Sequence, residues 1–494
     1  MILDPDACYR AVQTRDSRFD GRLFCGVRTT GIYCRPICPA RTPKLENLTF
    51  FTNAAAAQEA GFRPCLRCRP ECSPEIGAWR GTSNTVSRAL ALIGDGFLDG
   101  EADVDGLATR LGVGERQLRR LFQKHLGASP ITVAQTRRIH LAKQLIHDTS
   151  MSMVNVALAS GFGSVRRFNA AFHAMYGRPP SQLRRRPSRD PGITLSLSYA
   201  PPYDWPAMMA FFGARAIEGV ELVTPDKYIR SIALNGAQGT ISVCPIAGKN
   251  ALAATIAFPD VAALPTIVAR LRRMFDVGAD ISAINTHLAK DFRLRPAIDA
   301  RPGLRVPGAW DPFEHAMRAV LGQQITVAAA RKLAVKLVAL CGKPLVQASG
   351  GETALTHVFP SAAEVAAADL SALGMPGARL RTLKAIADAA LVERDLFSTA
   401  IDLESAVARL CALPGIGEWT AQYIALRALH EPDAFPASDV ALLRAMDDTL
   451  GKRTLPEDLA ALAQDWRPWR AYAAQHLWTS DAGLAPRAAR GKAA

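Results

Sequence analysis

"LCALPGIGEWTAQYIAL", residues 410–426, sets Leu413-Pro414-Gly415-Ile416-Gly417 between two apolar segments of helical period. The glycines allow a tight turn whose exposed backbone N–H groups can hold a phosphate, with a monovalent cation assisting. A turn of this kind is weak evidence alone, so its surroundings carry the reading. Twenty-two residues past Gly417, "AFPASDVALLRAM" puts Asp439 at the head of another helix, after a proline-bearing loop. On the residues alone, that aspartate reads first as a solvent-facing N-terminal cap, the commonest use of Asp there.

Outward from the turn, nearly everything from 310 to the end is Ala/Leu-rich helix broken by Gly and Pro, closed by a frayed tail "RAARGKAA". Before it, residues 193 to about 300 carry the strand-like alternations "ITLSLSY", "YIRSIAL" and "GTISVCPI" and two helical segments near 204–216 and 260–276. These predict a small α+β domain with an antiparallel sheet. "RRRPSRDPG", 184–192, reads as a linker. Residues 82–186 are helical with recurring glycine turns, and residues 1–75 are rich in Cys, Arg, Pro and Gly, with a strand-like "NLTFFT" and a helical "AAAAQEAG".

At 494 residues the chain exceeds one core, and four domains are expected: 1–75, 82–186, 193–300 and 301–485. The charge is uneven. Residues 1–190 hold 28 basic and 16 acidic side chains, against 31 and 29 in the remainder, so the front half calls for a polyanionic partner. The opening "MILDPDACYRAVQTRD" shows no apolar run ahead of a small-residue cleavage site, and no segment has the length of a membrane span. A cytoplasmic protein without membrane attachment is expected, a monomer by default.

Seven of the ten cysteines fall in the first 72 residues. Cys34-x3-Cys38 and Cys65-x2-Cys68 form two close pairs joined by a loop, a spacing suited to one tetrahedral zinc ion. So few apolar residues surround them that a metal would supply missing stability. Spacing alone leaves two roles open, a structural knot or a zinc-bound thiolate that reacts, with Arg28, Arg35, Arg63, Arg67 and Arg69 at hand for a phosphate.

"DVDGLATRLGVGERQLRRLFQKHLG", 103–127, predicts a short helix, a turn near Gly112 and a second helix whose free face carries Arg116, Arg119, Arg120 and Lys124. "SMVNVALASGFGSVRRFNAAFHAMYGRPPSQLRR", 152–185, repeats the arrangement. An amphipathic hairpin with a solvated basic face is the plain alternative for either unit, and the repetition argues against it.

Three resemblances then cover nearly the whole chain. "VRTTGIYCRPICPAR" with "NLTFFTNAAAAQEAGFRPCLRCRPE" closely resembles the N-terminal domain of the Ada family. That resemblance implies zinc on Cys34, Cys38, Cys65 and Cys68, with Cys34 accepting a methyl group irreversibly from a DNA methylphosphotriester; Cys25 and Cys72 lie outside the pairs. The paired helical units and "YGRPPSQLRR" resemble the AraC-type DNA-binding domain. Gln117 and Arg120 of the first recognition helix, and Ser164, Arg166 and Arg167 of the second, are the implied DNA contacts, at promoter DNA and beside RNA polymerase.

The C-terminal turn with Asp439 resembles the helix-hairpin-helix DNA glycosylases, specifically AlkA-like alkylbase enzymes, as do "LSYAPPYDWPAMMAFFGARAIEGVE", 197–221, and "RPGLRVPGAWDPFEHAMRAVLGQQITVAAARKLAVKL", 301–337. The resemblance implies Asp439 as the catalytic anion near the sugar, Pro414, Gly415 and Gly417 on the DNA backbone, and Phe211, Trp419, Tyr423 and Trp478 around the flipped base. Without it, these aromatic residues read as core, above all Phe211 and Tyr423, whereas Trp419, directly after the turn, is better placed to face a nucleotide. A base methylated at a ring nitrogen is electron-poor or cationic, so its glycosidic bond is weak and aromatic faces attract it. Gln324 stands where the AlkA-like pattern has a leucine wedge. Trp419 occupies the position of the Schiff-base lysine of glycosylase/lyases, no cysteine follows Cys411 for an iron-sulfur cluster, and the Pro-Cys-His-Arg acceptor motif of alkylguanine methyltransferases is missing.

The expected fold is thus multidomain: a small four-cysteine zinc α/β domain, an all-α double helix-turn-helix domain, a small antiparallel α+β domain and an all-α helix-hairpin-helix glycosylase domain. The expected enzyme is a monofunctional DNA-3-methyladenine glycosylase II-like hydrolase acting on alkylated double-stranded DNA in the bacterial cytoplasm, with a single-turnover methyl acceptor at Cys34. A methylation-responsive transcriptional regulator with a weak or inactive glycosylase is the alternative.

Overall fold

The computed structural model describes residues 4–74, 84–99, 103–184, 193–346, 354–393, 395–450 and 453–483. The expected linker, beyond Arg184, and the C-terminal tail lie outside the described residues.

The front unit is built on a four-stranded sheet in the order Leu48–Phe51, Phe24–Val27, Ile32–Cys34, Arg63–Pro64. All its neighbouring strands pair antiparallel except the last two, which pair parallel. Ala54–Glu59 is a helix because Asn53 accepts from Ala56 N–H, and its three central alanines are buried against the sheet.

Two helix pairs follow, Val104–Arg110 with Glu115–Leu126 and Met153–Ala159 with Val165–Tyr176, joined by the long helix Pro130–Asp148. Gly112, at φ +70°, makes the first turn where the sequence puts it. Asp103, Ser129, Ser152 and Ser164 each accept a backbone N–H at a helix start. Leu118, Phe122, Phe168 and Phe172 are fully buried, and each contributes roughly 1.5–3 kcal/mol relative to exposure.

The third unit has a five-stranded antiparallel sheet in the order Ile193–Ser198, Ala251–Ala257, Ala237–Pro245, Tyr228–Leu234, Glu221–Val223. Two of these strands were not read from the sequence. "ALAATIA" is alanine-rich and looks helical, but between two long partners its backbone is paired on both sides. The helices Trp205–Arg215 and Leu264–Met274 pack on this sheet. The remainder is helical apart from a two-residue pairing of Lys343–Pro344 with His357–Val358.

Cores cross the unit borders. Phe168, Phe172 and Leu183 share one apolar cluster with Leu195, Leu197, Phe212 and Phe275, so the second helix pair sits on the five-stranded sheet. The front unit meets Pro130–Asp148 through polar contacts: Thr136 Oγ1 donates to Gln58 Oε1 at 2.7 Å, Tyr33 Oη lies 3.1 Å from His140 Nε2, and Lys143 pairs with Glu71. Arg22 pairs with Asp280, Arg110 with Asp395 and, at 2.6 Å, Arg273 with Asp95, tying both front units to the rear half. Among the described residues no helix is long and apolar enough to cross a membrane.

Candidate active site and thiolate centre

In the front unit the strand Ile32–Cys34 ends on Cys34, a turn brings Cys38 beside it, and the segment after Arg63–Pro64 returns Cys65 and Cys68. The four Sγ atoms lie within 4.8 Å of one another. With Zn–S near 2.3 Å, tetrahedral ligands sit roughly 3.8 Å apart, so small side-chain adjustments close this set on one zinc ion. Arg35 N–H points at Cys68 Sγ at 3.3 Å and Arg67 N–H at Cys65 Sγ at 3.4 Å, as thiolates require. Four sulfurs this close repel one another as thiolates, so all four can be deprotonated together only around a divalent cation.

Cys25 pairs directly across the sheet from Cys34 and donates to its carbonyl at 3.6 Å; burial, with Cys38 and Cys65 nearby, pushes its thiol up to about 12. Two of the five arginines are committed elsewhere: Arg35 to Asp20 and the Cys68 carbonyl, Arg69 to Glu71 and Asp148. Arg28, Arg63 and Arg67 are exposed.

On the helix pairs, Arg120, Arg166 and Arg167 are exposed, as is Gln117, which accepts from Arg120 at 3.0 Å. Ser164 is exposed too, but its hydroxyl already caps Val165–Tyr176 by accepting from Arg167 N–H at 3.2 Å.

In the rear half, the helices Leu403–Cys411 and Glu418–Arg427 flank the glycine turn. Gly415 has φ +81°, and a Cβ there would lie 2.0 Å from Thr382 Oγ1, so both backbone and space demand glycine. Pro414, Gly415 and Gly417 are exposed while Ile416 anchors the turn inward. Gln324 is exposed at φ +58° just past the helix Pro312–Leu321. Its neighbour Gln323 donates to Gly415 O at 3.1 Å and Thr420 Oγ1 at 3.2 Å, fastening that loop to the hairpin.

Asp439 is both cap and pocket residue. Oδ1 accepts from Ala441 N–H at 3.0 Å and Leu442 N–H at 3.1 Å, heading the helix Val440–Leu450. The same Oδ1 accepts from Trp478 Nε1 at 2.9 Å, and Oδ2 from Trp419 Nε1 at 2.8 Å. Four donors on one carboxylate fix its orientation. Trp419 stacks on Tyr423 with ring centroids 5.3 Å apart and planes 7° from parallel, and Trp478 meets Tyr423 edge-on at 6.2 Å. Phe211 also lines this cleft, of volume about 1420 Å³, together with Gln324.

Sequence reasoning missed several polar residues of the cleft, among them Gln323, Arg215, His315 and Arg427. A signal existed. Trp419, Tyr423 and Arg427 are four apart on one helix, as are Phe211 and Arg215 on another, so each pair shares a face. Burial pushes His315 down to about 3, helped by Arg427, Arg318 and Arg215, so its ring is neutral.

Four stretches of the chain match known families. Residues 7–71 match the family described as the metal-binding domain of Ada, 107–186 a helix-turn-helix domain, 194–311 the AlkA N-terminal domain, and 317–470 the HhH-GPD superfamily base excision DNA repair protein. A Mycobacterium tuberculosis protein named probable bifunctional transcriptional activator/DNA repair enzyme AlkA is 40% identical over 486 residues, 97% of this chain and 96% of its own. DNA-3-methyladenine glycosylase 2 of Escherichia coli is 34% identical over 58% of this chain and 97% of its own. The 3-methyladenine DNA-glycosylase of Archaeoglobus fulgidus superposes with a TM-score of 0.53 at 20% identity, over 59% of this chain and 99% of its own, a likeness of fold.

These findings correct one expectation. A monofunctional glycosylase does not describe a chain whose full-length relative is named as bifunctional, and the physical reason is the front half: a thiolate cluster and two helix-turn-helix units are further working parts. The chain belongs to the family of bifunctional transcriptional activator/DNA repair enzymes of the AlkA type.

Proposed function

We propose that this bifunctional DNA repair protein hydrolyses the N-glycosidic bond of alkylated bases at Asp439, accepts methyl groups from backbone phosphotriesters at Cys34, and regulates transcription through its helix-turn-helix units. The observation that carries the glycosylase reading is the double indole grip on Asp439 in an aromatic cleft that Gly415 of the exposed glycine turn also lines. As the C1′–N bond lengthens, its electron pair goes to the base and positive charge grows on the sugar. A carboxylate already held by four donors stabilises that charge without reorganising. Water supplies the oxygen that ends on C1′, and its proton passes to solvent or to the released base. Pro414, Gly415 and Gly417 hold the backbone, Gln324 fills the emptied stack, and Phe211, Trp419, Tyr423 and Trp478 surround the flipped base.

In the front unit, Cys34, Cys38, Cys65 and Cys68 would hold zinc, which keeps the sulfurs deprotonated when bound. Cys34 Sγ forms a bond to the methyl carbon, the methyl–oxygen bond breaks, and its pair stays on the phosphate as an ordinary diester. The cluster thereby loses one negative charge, which weakens its repulsion of DNA. We assign 1–75 to methyl acceptance, 82–186 to promoter DNA through Gln117, Arg120, Ser164, Arg166 and Arg167, and 193–300 with 301–485 to excision. RNA polymerase is the partner at the promoter, and the protein acts as a monomer in the bacterial cytoplasm, where its DNA is.

The test compares base release from randomly methylated duplex by wild type and Asp439→Asn at matched DNA occupancy. Release abolished in the variant supports the reading; a wild type that binds this DNA and releases nothing overturns it.

A further inference from the structure

The excision cleft holds arginines that no carboxylate pairs among the described residues, although its aromatic lining suggests a trap for cations. Arg215 and Arg427 both line it. Their guanidinium carbons lie 4.0 and 4.5 Å from the ring centroid of Phe211, and that of Arg427 lies 5.2 Å from Trp478 and 5.8 Å from Tyr423. The electron-rich faces that would attract a positive base already serve the protein's own cations, and one face of Tyr423 is taken by Trp419.

Neither charge is neutralised. Among the described residues neither guanidinium pairs with a carboxylate: Arg427, only 2% exposed, donates to Pro307 O and Gln475 Oε1, and Arg215 to Phe211 O. The neighbouring Arg318 and Arg230, by contrast, share Glu221 and Glu314. Arg427 Nε is buried with no hydrogen-bond partner, so part of this guanidinium is unsatisfied as well as unpaired. Tyr423 senses the same field: burial works to raise its phenol, but Arg215 and Arg427 outweigh it and hold the group below its ordinary value.

We propose that Arg215 and Arg427 set the charge preference of the pocket, favouring neutral lesions with acceptor atoms on the base edge over lesions with a ring cation. The proposal rests on the glycosylase reading above and names the substrate class of that site. Its logic is independent of how far the bond has broken. A neutral base moves from zero charge towards minus one as it leaves; a ring-cationic base moves from plus one towards zero. At every stage the two differ by one unit of charge, so the guanidiniums always help the neutral base relative to the cationic one. Across several ångströms at a protein-like dielectric, one such interaction is worth on the order of tenfold in rate. Methylated purines are not forbidden, because their bonds are already weak; the field moves the balance.

The experiment uses the full-length protein and duplexes identical except for one base, hypoxanthine (neutral, with a carbonyl acceptor) or 7-methylguanine (ring-cationic). Single-turnover efficiency, the maximal rate divided by half-saturating protein concentration, is measured for wild type, Arg215→Met and Arg215→Lys. Arg215 is partly exposed, and Met keeps an aliphatic stem against Phe211 while removing the charge; equal melting temperatures of the three proteins check that the fold is kept. Arg215→Met should shift the hypoxanthine-to-7-methylguanine ratio at least about tenfold towards the cation, while Arg215→Lys keeps it within about twofold. A ratio unmoved by Met, or moved equally by Lys, overturns the proposal and leaves the glycosylase reading standing. A wild type that binds both duplexes and releases neither base removes the reading and this inference with it.

Discussion

Lys143 Nζ lies 2.8 Å from Glu71 Oε2, with both side chains fully buried between the front unit and the helix Pro130–Asp148. Arg69 Nε completes Glu71 from the other side at 3.0 Å. An ion pair sealed from water adds little net stability over an apolar pair, but leaving one member unpaired is expensive. The contact therefore acts as a lock on how the thiolate unit seats on the DNA-binding unit.

Lys143→Met should destabilise the seating by less than the ~3–5 kcal/mol of a wholly unpaired buried charge, because Arg69 still holds Glu71, and Lys143→Met with Glu71→Gln should recover part of it. Denaturant unfolding of the three proteins checks this. Recovery absent from the double variant would show that the lysine acts by packing alone.

The same pair gives a pH signature. Burial would raise the Glu71 carboxyl, but Lys143 and Arg69 overcome it and leave it below 4.5. A depressed folded-state pKa means stability present above the unfolded value and lost as pH falls through the folded one. Stability of the wild type should therefore fall more steeply below about pH 4.5 than that of the double variant, as thermal melts across pH 3–6 will show.

Trp478→Phe keeps the ring against Tyr423 and removes one N–H from Asp439 Oδ1. Loss of a hydrogen bond to a charged acceptor is worth about 1.5–3 kcal/mol, so single-turnover base release should fall roughly ten- to a hundredfold with DNA affinity unchanged. Asp439→Asn should keep its helix cap and its melting temperature while losing release, whereas Asp439→Ala should lose about 1 kcal/mol of stability as well. Equal activity in Trp478→Phe and wild type would remove the indole from any positioning role.

Gly415→Ala meets Thr382 Oγ1 and a left-handed backbone at once. Binding to undamaged duplex should weaken at least about tenfold, and Thr382→Ala in the same chain should restore only part of it, because the φ cost of roughly 1–2 kcal/mol remains. Fluorescence anisotropy with labelled duplex measures both.

Cys65→Ser should lower zinc content below one ion per chain and destabilise the front unit, while Cys25→Ser retains a full ion. Elemental analysis of the purified proteins decides it; a zinc loss in Cys25→Ser would mean that the sulfur opposite Cys34 takes part in binding.

The amino-acid order by itself determined what is local or periodic. The paired cysteines, the glycine turn at 413–417, both helix-turn-helix units and the cap at Asp439 were legible because spacing, period and turn chemistry act over a few residues. It also showed which aromatic residues could line a pocket, without separating pocket from core. Only the tertiary structure decided where Asp439 points its two oxygens, because Trp419 and Trp478 lie 20 and 39 positions away and their indoles converge through packing. The strand "ALAATIA" was hidden for the same reason, its conformation being set by partners on both sides rather than by its own residues. The unpaired charges of Arg215 and Arg427 belong to this class too: a sequence counts arginines, but which of them finds a carboxylate depends on side chains brought together from distant segments, and here Glu221 and Glu314 are already taken.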